Sequence, residues 1–165
     1  MQIILATKPQ LNIVQQLAYK IWPVAYVETG ILSQEQMDYM LDNFYSIDSL
    51  ENQLEKGHIF ILLKEENEFL GFASYETNSD NSNKTKLHKI YVLPNTQGKG
   101  VGKFLLNEVE IRAKKANNSA LFLNVNKYNK AQEFYKKLNF TITKEEVIDI
   151  GNGYVMDDFV MEKSL

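Results

Sequence analysis

Between Leu87 and Ile111 a strand-like segment runs into a helix-like one through Val92-Leu93-Pro94-Asn95-Thr96-Gln97-Gly98-Lys99-Gly100-Val101-Gly102-Lys103, and this junction limits what the chain can become. Glycines at alternate positions let backbone N–H groups close on an anion at a helix N-terminus, where the helix dipole already favours negative charge. The junction therefore reads as a phosphate cradle, with an ordinary glycine-rich connection as the alternative. A P-loop needs four residues between its glycines and a Ser or Thr after the Lys, whereas Gly98 to Gly102 encloses three and Phe104 follows Lys103. A dinucleotide fingerprint needs glycines at the first, third and sixth positions of the first βα turn, but the sixth position from Gly98 is Lys103 and the strand lies mid-chain. Both nucleotide motifs are excluded.

The periodicities around the junction change in a legible order. Leu11, Val14, Leu17, Ala18 and Ile21 fall on one helical face, and Pro23 is expected to end or bend that helix. Ser33 with Gln36 three residues on is a capping-box pattern, followed by Met37, Met40, Leu41 and Phe44 at helical spacing. Ser49 is expected to cap a short third helix through Leu54, which Gly57 stops. Strand patterns then cover His58 to Lys64 and Phe69 to Thr77 around a hairpin at Glu65-Glu66-Asn67-Glu68, and Lys86 to Leu93. After the cradle come a helix carrying Val101, Phe104, Leu105, Val109 and Ile111, a strand from Ala120 to Val125 and a helix from Lys130 to Leu138. Strands from Phe140 to Ile150 and Tyr154 to Met161 close the chain around Gly151-Asn152-Gly153. This order predicts an α/β (α+β) architecture with a central mixed, mostly antiparallel sheet flanked by helices. At 165 residues and 44% hydrophobic the chain is expected to form one domain, helical over residues 1–56 and sheet-based over 57–165.

Composition removes several function classes. No cysteine is present, so disulfides, thiolate metal sites and a cysteine nucleophile are excluded, and with only His58 and His88 as nitrogen ligands no metal site is expected. Met1 to Ala6 lacks the basic and cleavage features of a signal peptide, and no apolar run approaches the roughly 20 residues that span a bilayer. A cytoplasmic protein without membrane partners is the expectation. Residues 28–80 hold twelve acids against Lys56 and Lys64, whereas residues 84–115 hold eight bases against Glu108 and Glu110. One region should attract cations and the other anions, although solvated helix faces account for most such residues. The basic stretch is short and lacks interleaved aromatics, so no nucleic-acid partner is expected.

Gln97-x-x-Gly100-x-Gly102, preceded by Leu87 to Pro94 and followed by an amphipathic helix, resembles the acyl-CoA-binding motif of the GCN5-related N-acetyltransferases, the GNAT superfamily. Leu123 to Asn126 with Ala131-Gln132-Glu133-Phe134-Tyr135-Lys136-Lys137-Leu138-Asn139-Phe140 is similar to the second motif of that superfamily, in the same order and spacing. The resemblance covers residues 55–162. Trp22-Pro23, Tyr26, residues 36–40 and the ending Gly153 to Met161 further resemble bacterial members related to polyamine acetyltransferases.

The resemblance implies the GNAT fold and an acetyl-CoA-dependent acyltransferase that acetylates a primary amine by direct attack on the thioester. It implies that Gln97, Gly98, Lys99, Gly100, Val101, Gly102 and Lys103 hold the cofactor's pyrophosphate, and that Ile90, Tyr91, Val92 and Leu93 pair with the pantetheine arm. A strand N–H there stabilises the developing oxyanion. Tyr135 occupies the family's tyrosine position and is the candidate acid for the departing thiolate, with a core aromatic beside Phe134 and Phe140 as the alternative. The attacking amine must lose a proton, and His88 and Glu76 are the candidate bases. Where many members carry a CoA-contacting Asn, this chain has Tyr128, so Asn126 or Asn129 is left to supply the amide, and Asn129 equally suits a helix cap. Residues 11–54 resemble the region that shapes the acceptor pocket. Its acids suggest a cationic small amine such as a polyamine, near Glu28, Glu35, Asp38 or Tyr39. Acetylation of a protein N-terminus or lysine, and a non-catalytic acyl-CoA sensor, are the rival readings. A homodimer is a family-level expectation.

Overall fold

The computed structural model describes residues 1–165. Seven strands form a mixed sheet in the order β1-β2-β3-β4-β5-β7-β6, and the chain divides into two compact units, residues 1–76 with 89–109 and residues 77–88 with 110–165. Strand β4 (Lys84–Val92) and helix α4 (Val101–Lys115) each run through both.

In the first unit β1 (Gln2–Ala6), β2 (Ile59–Glu65) and β3 (Glu68–Glu76) form an antiparallel meander. Helix α1 (Leu11–Trp22) buries Leu11, Val14, Leu17, Ala18 and Ile21, the face that its spacing predicts. As its position predicts, Pro23 ends the α-helical ladder, which stops at Trp22. Proline has no N–H to give to the α ladder, and the chain widens instead into a π-helical turn over Pro23–Val27, closed by Glu28 N–H to Pro23 O at 3.0 Å. Helix α2 (Gln34–Tyr45) is capped by Ser33, whose Oγ accepts from Gln36 N–H at 3.1 Å. Helix α3 (Ile47–Glu55) begins earlier than expected because Ser46, not Ser49, is its cap: Ser46 is extended, and its Oγ accepts the N–H of Ser49 at 3.3 Å. The β2–β3 hairpin turns at Glu66, in left-handed backbone at φ 51°, and its register shifts between Leu63 and Lys64.

In the second unit β4 and β5 (Ala120–Asn126) pair in parallel from Lys84↔Ala120 to Leu87↔Leu123. Strand β7 (Tyr154–Ser164) pairs antiparallel with both β5 and β6 (Thr141–Gly151), so the two final strands pair within the chain. A short helix α5 (Ala131–Lys137) follows β5. The start of the parallel pair is held by buried Asn118, whose Oδ1 accepts from Thr85 Oγ1 at 2.7 Å and Asn78 N–H at 3.0 Å while Nδ2 donates to Asn78 Oδ1 at 2.6 Å.

Asn118→Ala strands the buried Thr85 hydroxyl and is expected to cost about 1–3 kcal/mol, read as a lower urea midpoint. Asp158 on β7 is buried, and burial chiefly raises its carboxyl above the ordinary range; a hydrogen bond with Asn124 opposes the shift, while Glu146 and Asp157 add to it. A raised folded-state pKa contributes stability at pH below the unfolded value, and this contribution is lost as pH rises through the folded value. Asp158→Asn, which resembles the protonated group, should therefore raise Tm by a few degrees near neutral pH and leave it unchanged at about pH 3.

Candidate active site

The cradle is built by a chain of short backbone bonds. Leu93 O accepts from Thr96 N–H at 2.9 Å and Thr96 Oγ1 at 2.6 Å, fixing a turn over Pro94–Thr96. Gln97 N–H then reaches Pro94 O at 3.3 Å and Lys99 N–H reaches Thr96 O at 3.2 Å. Gly98 and Gly100 stand at φ 79° and 78°, where a side chain would be strained. A Cβ at either would meet nothing within 4 Å, so backbone conformation and open approach, not packing, account for both glycines. The first backward bond of α4 is Phe104 N–H to Gly100 O at 2.9 Å. The N–H groups of Val101, Gly102 and Lys103 thus head the helix without a preceding carbonyl, the arrangement that binds anions. Gln97, Lys99 and Lys103 are exposed beside them.

Upstream, β4 is pressed against β3. A Cβ on Gly71 would lie 2.5 Å from Tyr91 O and 3.0 Å from Val92 Cα, and Leu93 N–H donates to Leu70 O at 2.8 Å. Leu93 is thus committed to the fold through both backbone polar groups, whereas Ile90, Tyr91 and Val92 are half-buried along the strand. The Tyr91 ring lies 5.7 Å from both Trp22 and Phe72. Tyr45, fully buried between Trp22 and Phe72, has its phenol pKa raised well above the usual value, chiefly by burial and then by Tyr26, so it remains neutral.

The candidate acid–base and acceptor groups of the first unit separate into two environments. Glu76 ends β3, half-buried, and its carboxylate lies within 4.8 Å of a ring nitrogen of His58, at the start of β2. Nothing in the sequence around His58 marks it for this role. Ile59 pairs with Tyr75, so the next ladder step sets His58 against Glu76. Glu28 lies exposed just past the π-helical turn, Glu35 and Asp38 lie exposed on the first turns of α2, and Tyr39 is half-buried there. Asp38 already accepts from Gln34 Nε2 at 2.9 Å.

In the second unit Tyr135 of α5 is 7% exposed, with ring centroids 5.3 Å from Phe134 and 5.7 Å from Phe140. Asn126 Oδ1 accepts from Tyr128 N–H and Asn129 Oδ1 from Ala131 N–H, each at 2.9 Å, so Asn129 shapes the entry to α5. Tyr128 itself is exposed. His88 is half-buried on β4.

A strand, a glycine cradle and a helix whose leading N–H groups have no preceding carbonyl form an anion-binding arrangement. Residues 28–162 match the family described as the acetyltransferase (GNAT) domain. The chain is 32% identical over 110 residues to the ribosomal protein bS18-alanine N-acetyltransferase of Haemophilus influenzae, covering 67% of this chain and 70% of that protein. Its fold is similar to that of PaiA N-acetyltransferase from Thermoplasma acidophilum in complex with coenzyme A, at a TM-score of 0.81 and 25% identity over the whole of both chains. It is also similar to YncA of Salmonella typhimurium with acetyl-CoA, at a TM-score of 0.66 and 22% identity over 100% of this chain and 94% of that one. The chain belongs to the GNAT acetyltransferase family and is an acetyl-CoA-dependent N-acetyltransferase. No helix is long and apolar enough to cross a membrane.

Gly71→Ala forces β3 and the end of β4 apart, because the new atom meets backbone. The expected cost is about 1–3 kcal/mol, measured as a shift in the chemical denaturation midpoint.

Proposed function

We propose that this acetyltransferase uses a cationic primary amine, of the polyamine class, as its acceptor. The observation that carries this reading is the group of exposed acids Glu28, Glu35 and Asp38 around the start of α2, which favours an acceptor with charges beyond the reacting nitrogen. The cradle from Gln97 to Lys103 holds the pyrophosphate of acetyl-CoA through backbone N–H groups, with Lys99 and Lys103 adding charge. Ile90 to Val92 line the pantetheine arm, and a strand N–H stabilises charge developing on the thioester carbonyl oxygen. Asn126 or Asn129 supplies a side-chain amide to the carrier.

Glu76, paired with His58, takes the proton that the acceptor ammonium must lose, and His88 is the other candidate for that task. The neutral nitrogen attacks the carbonyl carbon, an N–C bond forms, the C–S bond breaks, Tyr135 gives its phenolic proton to the departing sulfur, and the second proton lost by the nitrogen restores the phenol. The products are an N-acetyl amine and free CoA. With a phenol near 10 and a thiol near 8.5, donation is feasible but weakly driven. A second reading, acetylation of a protein N-terminal alanine, is favoured by the 32% identity to the bS18-alanine enzyme.

Thiol release from acetyl-CoA across an amine panel tests these assignments. Turnover should rise with each added positive charge on the acceptor, by roughly fivefold at most per charge, and fall with added salt. Indifference to charge together with strong activity on alanine-terminated peptides would replace the polyamine reading with the second one. Tyr135→Phe should lower kcat by about a hundredfold or more with unchanged acetyl-CoA affinity; wild-type turnover in that variant would remove Tyr135 from the mechanism.

A further inference from the structure

Tyr26 and Tyr91 bring their hydroxyl oxygens to 2.8 Å, a hydrogen bond between residues 65 apart in sequence. Each partner is held from its own side. Tyr26 sits in the π-helical turn, its ring centroid 4.7 Å from that of Trp22 and its carbonyl accepting from Ile31 N–H at 2.9 Å and Leu32 N–H at 3.0 Å. Tyr91 lies where Gly71 lets β3 press against β4, two residues before the Leu93–Leu70 bond. A π turn is rare and recurs where a side chain must be aimed, and here the wider turn carries the tyrosine that reaches β4. The two rings stand edge to face at 6.3 Å and 66°, so they contact each other beyond the hydroxyl bond.

We propose that Tyr26 and Tyr91 are a positioning pair: their hydroxyl bond locks the end of β4 in the orientation that receives the pantetheine arm of acetyl-CoA. The proposal rests on the assignment of the cradle and of Ile90 to Val92 to the cofactor. A strand edge offers N–H groups to a ligand only if its twist and direction are set beforehand, since ordering it on binding would subtract from affinity. Gly71 and Leu70 set the backbone of this segment from the β3 side, and the Tyr26 hydroxyl sets it through the Tyr91 side chain. The same bond ties that segment to the turn preceding α2, the helix that carries Glu35 and Asp38.

Isothermal titration with CoA and with adenosine 3′-phosphate 5′-diphosphate, which keeps the pyrophosphate but lacks the pantetheine arm, separates positioning from general damage. Tyr26→Phe and Tyr91→Phe keep both rings and remove one hydroxyl each. Each should weaken CoA by about three- to tenfold, the effect of one hydrogen bond, and leave the truncated ligand unchanged. The double variant should be no weaker than Tyr91→Phe alone, because that change already removes the shared bond together with the contact to the Tyr45 hydroxyl. Wild-type CoA affinity in both variants, or an equal loss for the two ligands, would overturn the proposal. Gly100→Val is the control for the assignment beneath it: unchanged CoA binding there removes the cradle from the cofactor site, a result distinct from unchanged binding in the tyrosine variants.

Discussion

The close approach of β3 to Tyr91 and Val92 is the contact from which the glycine cradle is built. With only hydrogen at Gly71, the strands meet where a methyl group would stand 2.5 Å from a carbonyl oxygen. Leu70 O can then take the N–H of Leu93, and the chain leaves β4 in a set direction. Leu93 O in turn receives Thr96, Pro94 O receives Gln97, Thr96 O receives Lys99 and Gly100 O receives Phe104. Each bond fixes the start of the next, so two left-handed glycines are held in place without any side chain packing against them. A glycine loop of this kind is otherwise entropically expensive, and anchoring it at one end reduces what a ligand must order.

The other face of β4's end is held by side chains under less comfortable conditions. Trp22 is buried with its ring edge to face against that of Tyr45, centroids 5.4 Å apart. The π-helical turn follows directly, and Tyr45 keeps a neutral phenol in the same ring cluster. Departures from ideal local structure concentrate where a protein needs a side chain in one place, and these meet at the Tyr26–Tyr91 bond.

Elements whose pattern is local were readable from sequence, and those that depend on a single displaced residue were not. The buried face of α1, the Ser33 cap and the order of strands follow from spacing alone. The register shift between Leu63 and Lys64 does not. Counting back from the hairpin turn without it sets His58 opposite Tyr75, on the other face of the strand, because a slip of one residue inverts every side chain. The bulge restores His58 to Glu76, and a histidine nitrogen and a carboxylate come within 4.8 Å in a way that no linear spacing announces. Pro23 was legible as the end of the α ladder, but the wider π turn that carries the chain on from it was not.

Donor and acceptor recognition differ in what they write into a sequence. Backbone capture of a pyrophosphate demands glycine at particular positions, so it is visible as a motif. Acceptor recognition through exposed carboxylates uses residues that any solvated helix carries. Chemistry narrows it further. An acid held close to the reacting nitrogen stabilises the ammonium form and opposes the deprotonation that attack requires. Glu28, Glu35 and Asp38 therefore serve an acceptor best when they face charges remote from that nitrogen. On the proposed reading a polyamine meets this condition, since one amine can lose its proton while the others stay charged. A simple monoamine has only the one charge, which the acids would hold in the unreactive form, so the preference for multiply charged acceptors should appear in kcat as well as in KM.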